Sequence, residues 1–287
     1  MGQVVMFAGS KAGTGKTTAS IMTALVANKL FKQRVLVIDA TTDLVATKTL
    51  LALFKQRTQA KLTTGLTVKQ LGTVITPLRP QLDLIPGAPE IESYFETAVE
   101  AEATTQTQRT TSLMPPLVAE LKQQYDYILI DTGATFALTF NNCLASTDYV
   151  VVMQPTGSAG FHATDRLFYY LKQLKEIQTN VTAEIVGHLS LDLTNSTPFY
   201  AAEPVSSFDV ADSFHTVITK NDWLAANAPF TTAMQKKYAG ACQLAGVMYS
   251  EIFNELRARI ELQQKLGQFA TPAGLTAKGK AIKLFSE

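Results

Sequence analysis

The residues with the most chemistry in the chain form one run near its start, Gly9-Ser10-Lys11-Ala12-Gly13-Thr14-Gly15-Lys16-Thr17-Thr18. Glycines at 13 and 15 let the backbone curl so that successive N–H groups point inward, and inward-pointing amides hold the oxygens of a phosphate. Lys16 then reaches the outer phosphates and Thr17 offers its hydroxyl to Mg²⁺, while the helix expected to follow adds partial positive charge from its N-terminus. The run reads as a phosphate loop whose contact set is Lys11, Ala12, Gly13, Thr14, Gly15, Lys16, Thr17 and Thr18. A bare Gly-x-Gly-Lys-Ser/Thr string arises by accident in roughly one chain in a hundred of this length. Its position between an apolar run and a helical stretch is the context that such a loop requires.

Two acids fall where a second half of the site belongs. Tyr125-Asp126-Tyr127-Ile128-Leu129-Ile130-Asp131-Thr132 is an apolar strand ending in a carboxylate, which puts Asp131 at the carboxyl edge of a parallel sheet beside the loop. There it can hold Mg²⁺ with Thr17. Val35-Leu36-Val37-Ile38-Asp39 ends in the same way, making Asp39 a further metal and catalytic candidate. Asp192, after a later apolar run, is placed to hydrogen-bond an adenine amino group or to cap a turn.

Positioning these groups demands a particular scaffold. Residues 3–8 form a β-leaning run, 17–31 a helical one and 34–39 a second strand, with further strands expected at 82–85, 127–131, 149–153 and 184–191. Helices are expected at 112–124 and 163–176. Near-continuous apolar runs such as Val35-Leu36-Val37-Ile38 and Tyr149-Val150-Val151-Val152-Met153 imply strands buried on both faces. The expected fold is α/β: a mostly parallel, twisted sheet flanked by helices on both faces. Residues 101–111 read as a solvated helix end or loop, and 192–212 as irregular, interrupted by Pro198 and Pro204.

The phosphate loop resembles the deviant Walker A motif of the ParA/MinD family of P-loop ATPases (SIMIBI class), Lys-Gly-Gly-x-Gly-Lys-Thr. That resemblance makes Lys11 the signature lysine, which reaches the phosphates of the neighbouring subunit's ATP, with Ala12 standing where the family has glycine. Residues 125–132 resemble the family's Walker B strand running into switch II, with Gly133 and Ala134 replacing two prolines. Residues 35–39 resemble its switch I strand, where a second Asp positions the attacking water. Here that position is Thr41, and Asp43 follows two residues later. A threonine hydroxyl cannot take a proton near neutral pH, and a general base contributes about 10²- to 10⁴-fold. Slow hydrolysis is expected, unless Asp43 takes the role or a partner completes the site. The resemblance implies ATP and Mg²⁺ as cofactors, a homodimer formed on ATP binding, non-specific DNA as the surface the dimer rides on, and an activating partner of the ParB or cargo-adaptor kind.

Composition narrows the class without naming the cargo. With 287 residues and 46% hydrophobic content the chain can bury one core, so a single ATPase domain over 1–287 is expected, ending in a basic helical tail from about 249. Lys+Arg 25 against Asp+Glu 24 gives no global field, so DNA binding must come from a local patch. Arg257, Arg259, Lys265, Lys278, Lys280 and Lys283 are the candidates. Cys143 and Cys242 are two isolated cysteines, and His162, His188 and His215 are scattered; neither set suggests a metal centre. No run reaches the roughly 18 apolar residues of a membrane span, and the apolar face of 278–285 is too small for firm membrane attachment. The expected location is cytoplasmic, on the nucleoid when ATP is bound. Three other readings stay open: a MinD-like membrane-associated ATPase, a hydrolysis-deficient ATP-binding scaffold, and a metabolic P-loop synthetase or kinase.

Overall fold

The computed structural model describes residues 1–10, 13–101, 113–133, 137–155, 158–177, 181–192, 213–226 and 230–269. Among the described residues one eight-stranded sheet organises the chain: β1 (Gln3–Ala8), β2 (Val35–Ala40), β3 (Thr76–Arg79), β4 (Leu82–Ile85), β5 (Tyr127–Thr132), β6 (Tyr149–Pro155), β7 (Glu184–Asp192) and β8 (Ile218–Thr219). Their order across the sheet is β3-β4-β2-β5-β1-β6-β7-β8. Every pairing is parallel except β3 with β4.

The pleat explains why the central strands lack polar alternation. Val5 and Phe7 of β1 enter one core, while Val4, Met6 and Ala8 enter another on the opposite face. Both faces are covered, so consecutive residues must all be apolar. The first face carries α1 (Lys16–Lys29), α2 (Val45–Phe54), the short α8 (Thr232–Lys237) and the long C-terminal α9 (Ala239–Phe269), with Ile21, Leu50, Tyr249, Phe253 and Leu256 buried there. Phe253 sits edge-on to both Phe31 and Tyr127, at ring separations of 5.0 and 5.1 Å. The second face is covered by α3 (Leu62–Thr67), α4 (Ile91–Ala101), α5 (Pro115–Leu121), α6 (Leu138–Ala145) and α7 (Ser158–Ile177), which bury Leu62, Phe95, Val118, Leu144 and Leu167.

Several sequence expectations need correction. The helix expected over 112–124 is only α5, because Pro115 supplies a pre-set first turn and residues further upstream lie outside the described region. Helix α2 and strand β3 carry no strong periodic signal in the sequence; the β3–β4 hairpin turns through Gln81 at φ 64° and puts Pro77 on an edge strand. Residues 102–112 and 193–212, which hold most of the two expected irregular segments, are outside the described residues.

The C-terminal helix begins at Ala239, ten residues before the expected tail, and its middle is core. Arg259 is only 8% exposed. Its Nε donates to Glu255 Oε1 at 2.9 Å, its Nη1 to the Val186 carbonyl at 3.1 Å and its Nη2 to the Ser213 carbonyl, with the guanidinium 4.6 Å from the Phe214 ring centre. Glu255 in turn accepts the His215 backbone N–H. Arg259 is therefore a clamp joining α9, β7 and the segment before β8, and is withdrawn as a DNA contact. Arg257 lies over Phe31 at 5.4 Å and Lys265 pairs with Glu261 at 2.7 Å. Lys278, Lys280 and Lys283 lie outside the described residues.

Removing a buried cation leaves its carboxylate and two carbonyls unsatisfied, whereas removing an exposed one costs little. Arg259→Ala is expected to lower the unfolding free energy by about 2–4 kcal/mol in urea titrations. Arg257→Ala should cost under about 1 kcal/mol.

Candidate functional site: a phosphate loop facing a buried carboxylate

The loop between β1 and α1 turns through two left-handed residues, Gly13 at φ 75° and Gly15 at φ 79°. A side chain at either position would be strained, so the curl that directs amides inward depends on both glycines. Lys16 opens α1 and is buried, its Nζ 3.4 Å from Thr14 Oγ1. Burial lowers its pKa, and the charges of Asp131 and Asp43 pull it back up. Thr17 and Thr18 follow in the first turn, half-buried. Lys11 and Ala12 lie outside the described residues.

Asp131, fully buried in β5, accepts a hydrogen bond from Thr17 Oγ1 to its Oδ1 at 3.2 Å. Its Oδ2 is buried with no hydrogen-bond partner. Burial pushes the carboxyl up to about 8, and the neighbouring Asp39, directly across in register on β2, adds to the rise. The Lys16 cation offsets only part of this rise, and an orphaned oxygen beside a threonine hydroxyl suits a hard divalent cation. Thr17 and Asp131 thus fit Mg²⁺, which would supply positive charge against phosphate oxygens.

Asp39 lies near the end of β2 with both carboxylate oxygens engaged. Its Oδ1 accepts from the Thr41 backbone N–H (3.1 Å) and Thr41 Oγ1 (2.6 Å), and its Oδ2 from the Thr47 N–H (2.8 Å) and Thr47 Oγ1 (2.6 Å). A carboxylate offers about four acceptor sites, and all four are used. Asp39 is therefore the anchor that holds the β2–α2 loop to α2. Thr47 extends the anchor by accepting the Gly87 N–H at 2.9 Å. No motif spacing in the sequence signals Thr47 or Gly87.

Thr41 Oγ1 also lies 2.9 Å from Asp43 Oδ1, so the exposed Asp43 is tied through Thr41 to the buried anchor. Asp192 closes β7, where its carbonyl accepts the Lys220 N–H and it pairs with Thr219 of β8. All of these residues sit at the carboxyl edge of the sheet, where parallel α/β folds bind ligands. Four strand ends reach further than the sequence indicates, to Ala40 on β2, Thr132 on β5, Pro155 on β6 and Asp192 on β7, and those of β5 and β6 bring Thr132 and Gln154 to the same edge.

The chain matches the family model described as an AAA domain over residues 2–185, from the start of β1 into β7. The chain is a ParA-like member of the ParA/MinD ATPase family. Among relatives of this ParA-like chain, the chromosome-partitioning ATPase Soj of Treponema pallidum is 26% identical over 280 residues, covering 90% of this chain and 98% of Soj. Two solved ParA-like folds superpose on it. A putative plasmid partition protein of Borrelia burgdorferi bound to AMPPNP aligns with TM-score 0.68 and 19% identity, covering 90% of this chain and 99% of that one. The ATP complex of a Cyanothece McdA variant aligns with TM-score 0.70 and 13% identity over 89% and 96%. Among the described residues of this ParA-like chain, no helix is long and apolar enough to cross a membrane.

The raised Asp131 carboxyl fixes a pH signature. The folded, metal-free state keeps a proton that the unfolded chain releases near its ordinary value of 3.8, so the stability this group contributes is lost as pH rises towards about 8. Urea unfolding without Mg²⁺ should show wild type losing stability between about pH 4 and 8 relative to Asp131→Asn, with no further loss above that. Parallel wild-type and mutant profiles would contradict the assignment.

Proposed function

We propose that this chain is an ATP-dependent dimerising switch, acting as one ParA-like ATPase domain in DNA partition or cargo positioning. The observation that carries the reading is the Thr17–Asp131 pair, with its orphaned Asp131 Oδ2, set beneath a loop curled through Gly13 and Gly15. ATP lies on the loop amides with Lys16 at its outer phosphates, Mg²⁺ is held by Thr17 and Asp131, and Asp192 lies towards the base. Lys11 crosses to the neighbouring subunit's nucleotide and closes the dimer. The dimer then binds DNA through phosphate contacts without sequence preference, and a partner protein triggers release. The names of the relatives support the partition role: a chromosome-partitioning ATPase and a plasmid partition protein.

Hydrolysis is slow in this reading, because Thr41 occupies the position of an acid and its hydroxyl cannot serve as a base. Asp43, held by Thr41 within the field of Lys16, is the group that takes the proton from water. With Arg259 committed to the fold, DNA contacts fall to other basic residues, the exposed Lys237 among them, with Lys278, Lys280 and Lys283 as further candidates.

Sedimentation with ADP, ATP and AMPPNP, with and without duplex DNA, tests the switch. Wild type should dimerise and bind DNA only with the triphosphates, with binding weakened steeply by salt. Lys11→Ala should bind ATP yet stay monomeric, and Lys16→Ala should lose nucleotide altogether. Asp43→Ala should lower turnover by a further factor of about 10². Turnover as fast as in a homologue with the acid at position 41, and indifferent to Asp43→Ala, would refute the catalytic assignment. ATP binding with no turnover under any DNA or partner condition would make the chain a scaffold.

A further inference from the structure

A buried polar side chain normally finds a hydrogen-bond partner, and one that does not is either a defect or a group held for something that binds later. At the carboxyl edge of the sheet, besides Asp131, two further residues carry such a group. Gln154 on β6 and Thr132 on β5 are each 1% exposed, and neither Gln154 Oε1 nor Thr132 Oγ1 has a hydrogen-bond partner. The close packing of α7 against β6 explains the burial of Gln154: a Cβ at Gly160 would stand 2.1 Å from the Pro155 carbonyl oxygen.

The pleat shows which face they share. Tyr149, Val151 and Met153 of β6 enter the core beneath α1, while Val150 and Val152 enter the opposite core, so Gln154 belongs to that opposite face. On β5, Tyr127 and Leu129 face α1 and Ile128 and Ile130 the other side, which places Asp131 towards Thr17 and Thr132 away from it. Strand β1 runs between β5 and β6, so the two backbones are about 10 Å apart. Between them stands Ala8, a small side chain level with Val152, and a Cβ on the following Gly9 would lie 3.4 Å from Met153 Cβ, which sets Gln154 one residue past a contact with the start of the phosphate loop. Two unpaired polar groups thus flank a small residue at the loop's entry, on the face away from the cation site.

We propose that Gln154, supported by Thr132, is a positioning residue for the triphosphate end of the nucleotide, holding a water there when ATP is loaded. This deepens the ATPase reading and rests on it. A carboxamide suits such a role because it accepts a hydrogen bond from water while donating another, without changing charge, and glutamines orient attacking water in other phosphate-loop enzymes. The need is specific to this chain, because Thr41, at the position where an acid is expected, has its hydroxyl engaged with Asp39 and Asp43. Holding the group ready has a cost in the nucleotide-free fold, where the buried Gln154 Oε1 accepts no hydrogen bond.

That cost supplies the test, since a structural glutamine and a functional one respond oppositely to Gln154→Leu. Nucleotide-free Gln154→Leu should melt at or above the wild-type temperature and keep the ADP-induced shift. It should lose the additional shift that AMPPNP gives over ADP, and its ATP turnover should fall about 10²-fold with little change in KM. Thr132→Val should act in the same direction and Thr132→Ser should restore the wild-type pattern. Equal AMPPNP-over-ADP shifts in wild type and Gln154→Leu overturn the proposal, as does a mutant that melts lower without nucleotide and loses the ADP shift too. A wild type that shows no shift with either nucleotide defeats the ATPase reading itself.

Discussion

The carboxylate of Asp131 is buried at the end of β5 with one oxygen bonded to Thr17 and the other to nothing. Taking an acid out of water is expensive unless it is paired or protonated. The surrounding structure keeps it there nonetheless: β1 and β2 flank β5, and the first turn of α1 caps it through Thr17. The same burial acts on Lys16, whose cation is depressed by desolvation while Asp131 and Asp43 oppose the effect. A cation and an acid, each short of solvation, stand ready for a ligand that carries both negative phosphates and a divalent metal. Binding energy then comes from relieving a stored electrostatic deficit as well as from new contacts.

A deficit of this kind is tolerable only where the framework is stiff. The central strands have both faces packed, and α9 adds a second layer over α1 through Tyr249, Phe253 and Leu256. Arg259 fastens that helix to β7 and to the segment before β8, which continues to the edge where Asp192 lies. Packing at the far C-terminus therefore sets the position of the strand end expected to meet the base. Asp39 makes an analogous anchor on the other side of the site. With its four acceptor positions filled by Thr41 and Thr47, it fixes the β2–α2 loop and, through Gly87, the end of β4. Asp43 is joined to that anchor by way of Thr41.

Much of this was legible in the amino-acid order, because the signals are local. Gly13, Gly15, Lys16 and Thr17 specify a phosphate loop by backbone freedom and side-chain type, and runs such as residues 35–38 and 149–153 announce strands covered on both sides. An acid ending an apolar strand beside that loop identified Asp131. These inferences need neighbours only a few residues away, so β1 and β4 appear at their expected limits. Tertiary structure decided what depends on distant partners. The saturation of Asp39 requires Thr47, eight residues on and in the following helix. The burial of Arg259 requires carbonyls from Val186 and Ser213. The true ends of β5 and β6 depend on β2 and β7 extending the ladder past Asp131 and Met153, and only that extension brings Thr132 and Gln154 to the site. Residue type determines what a side chain is able to do; whether its hydrogen-bonding capacity is spent, spared or left waiting is set by the chain that folds against it.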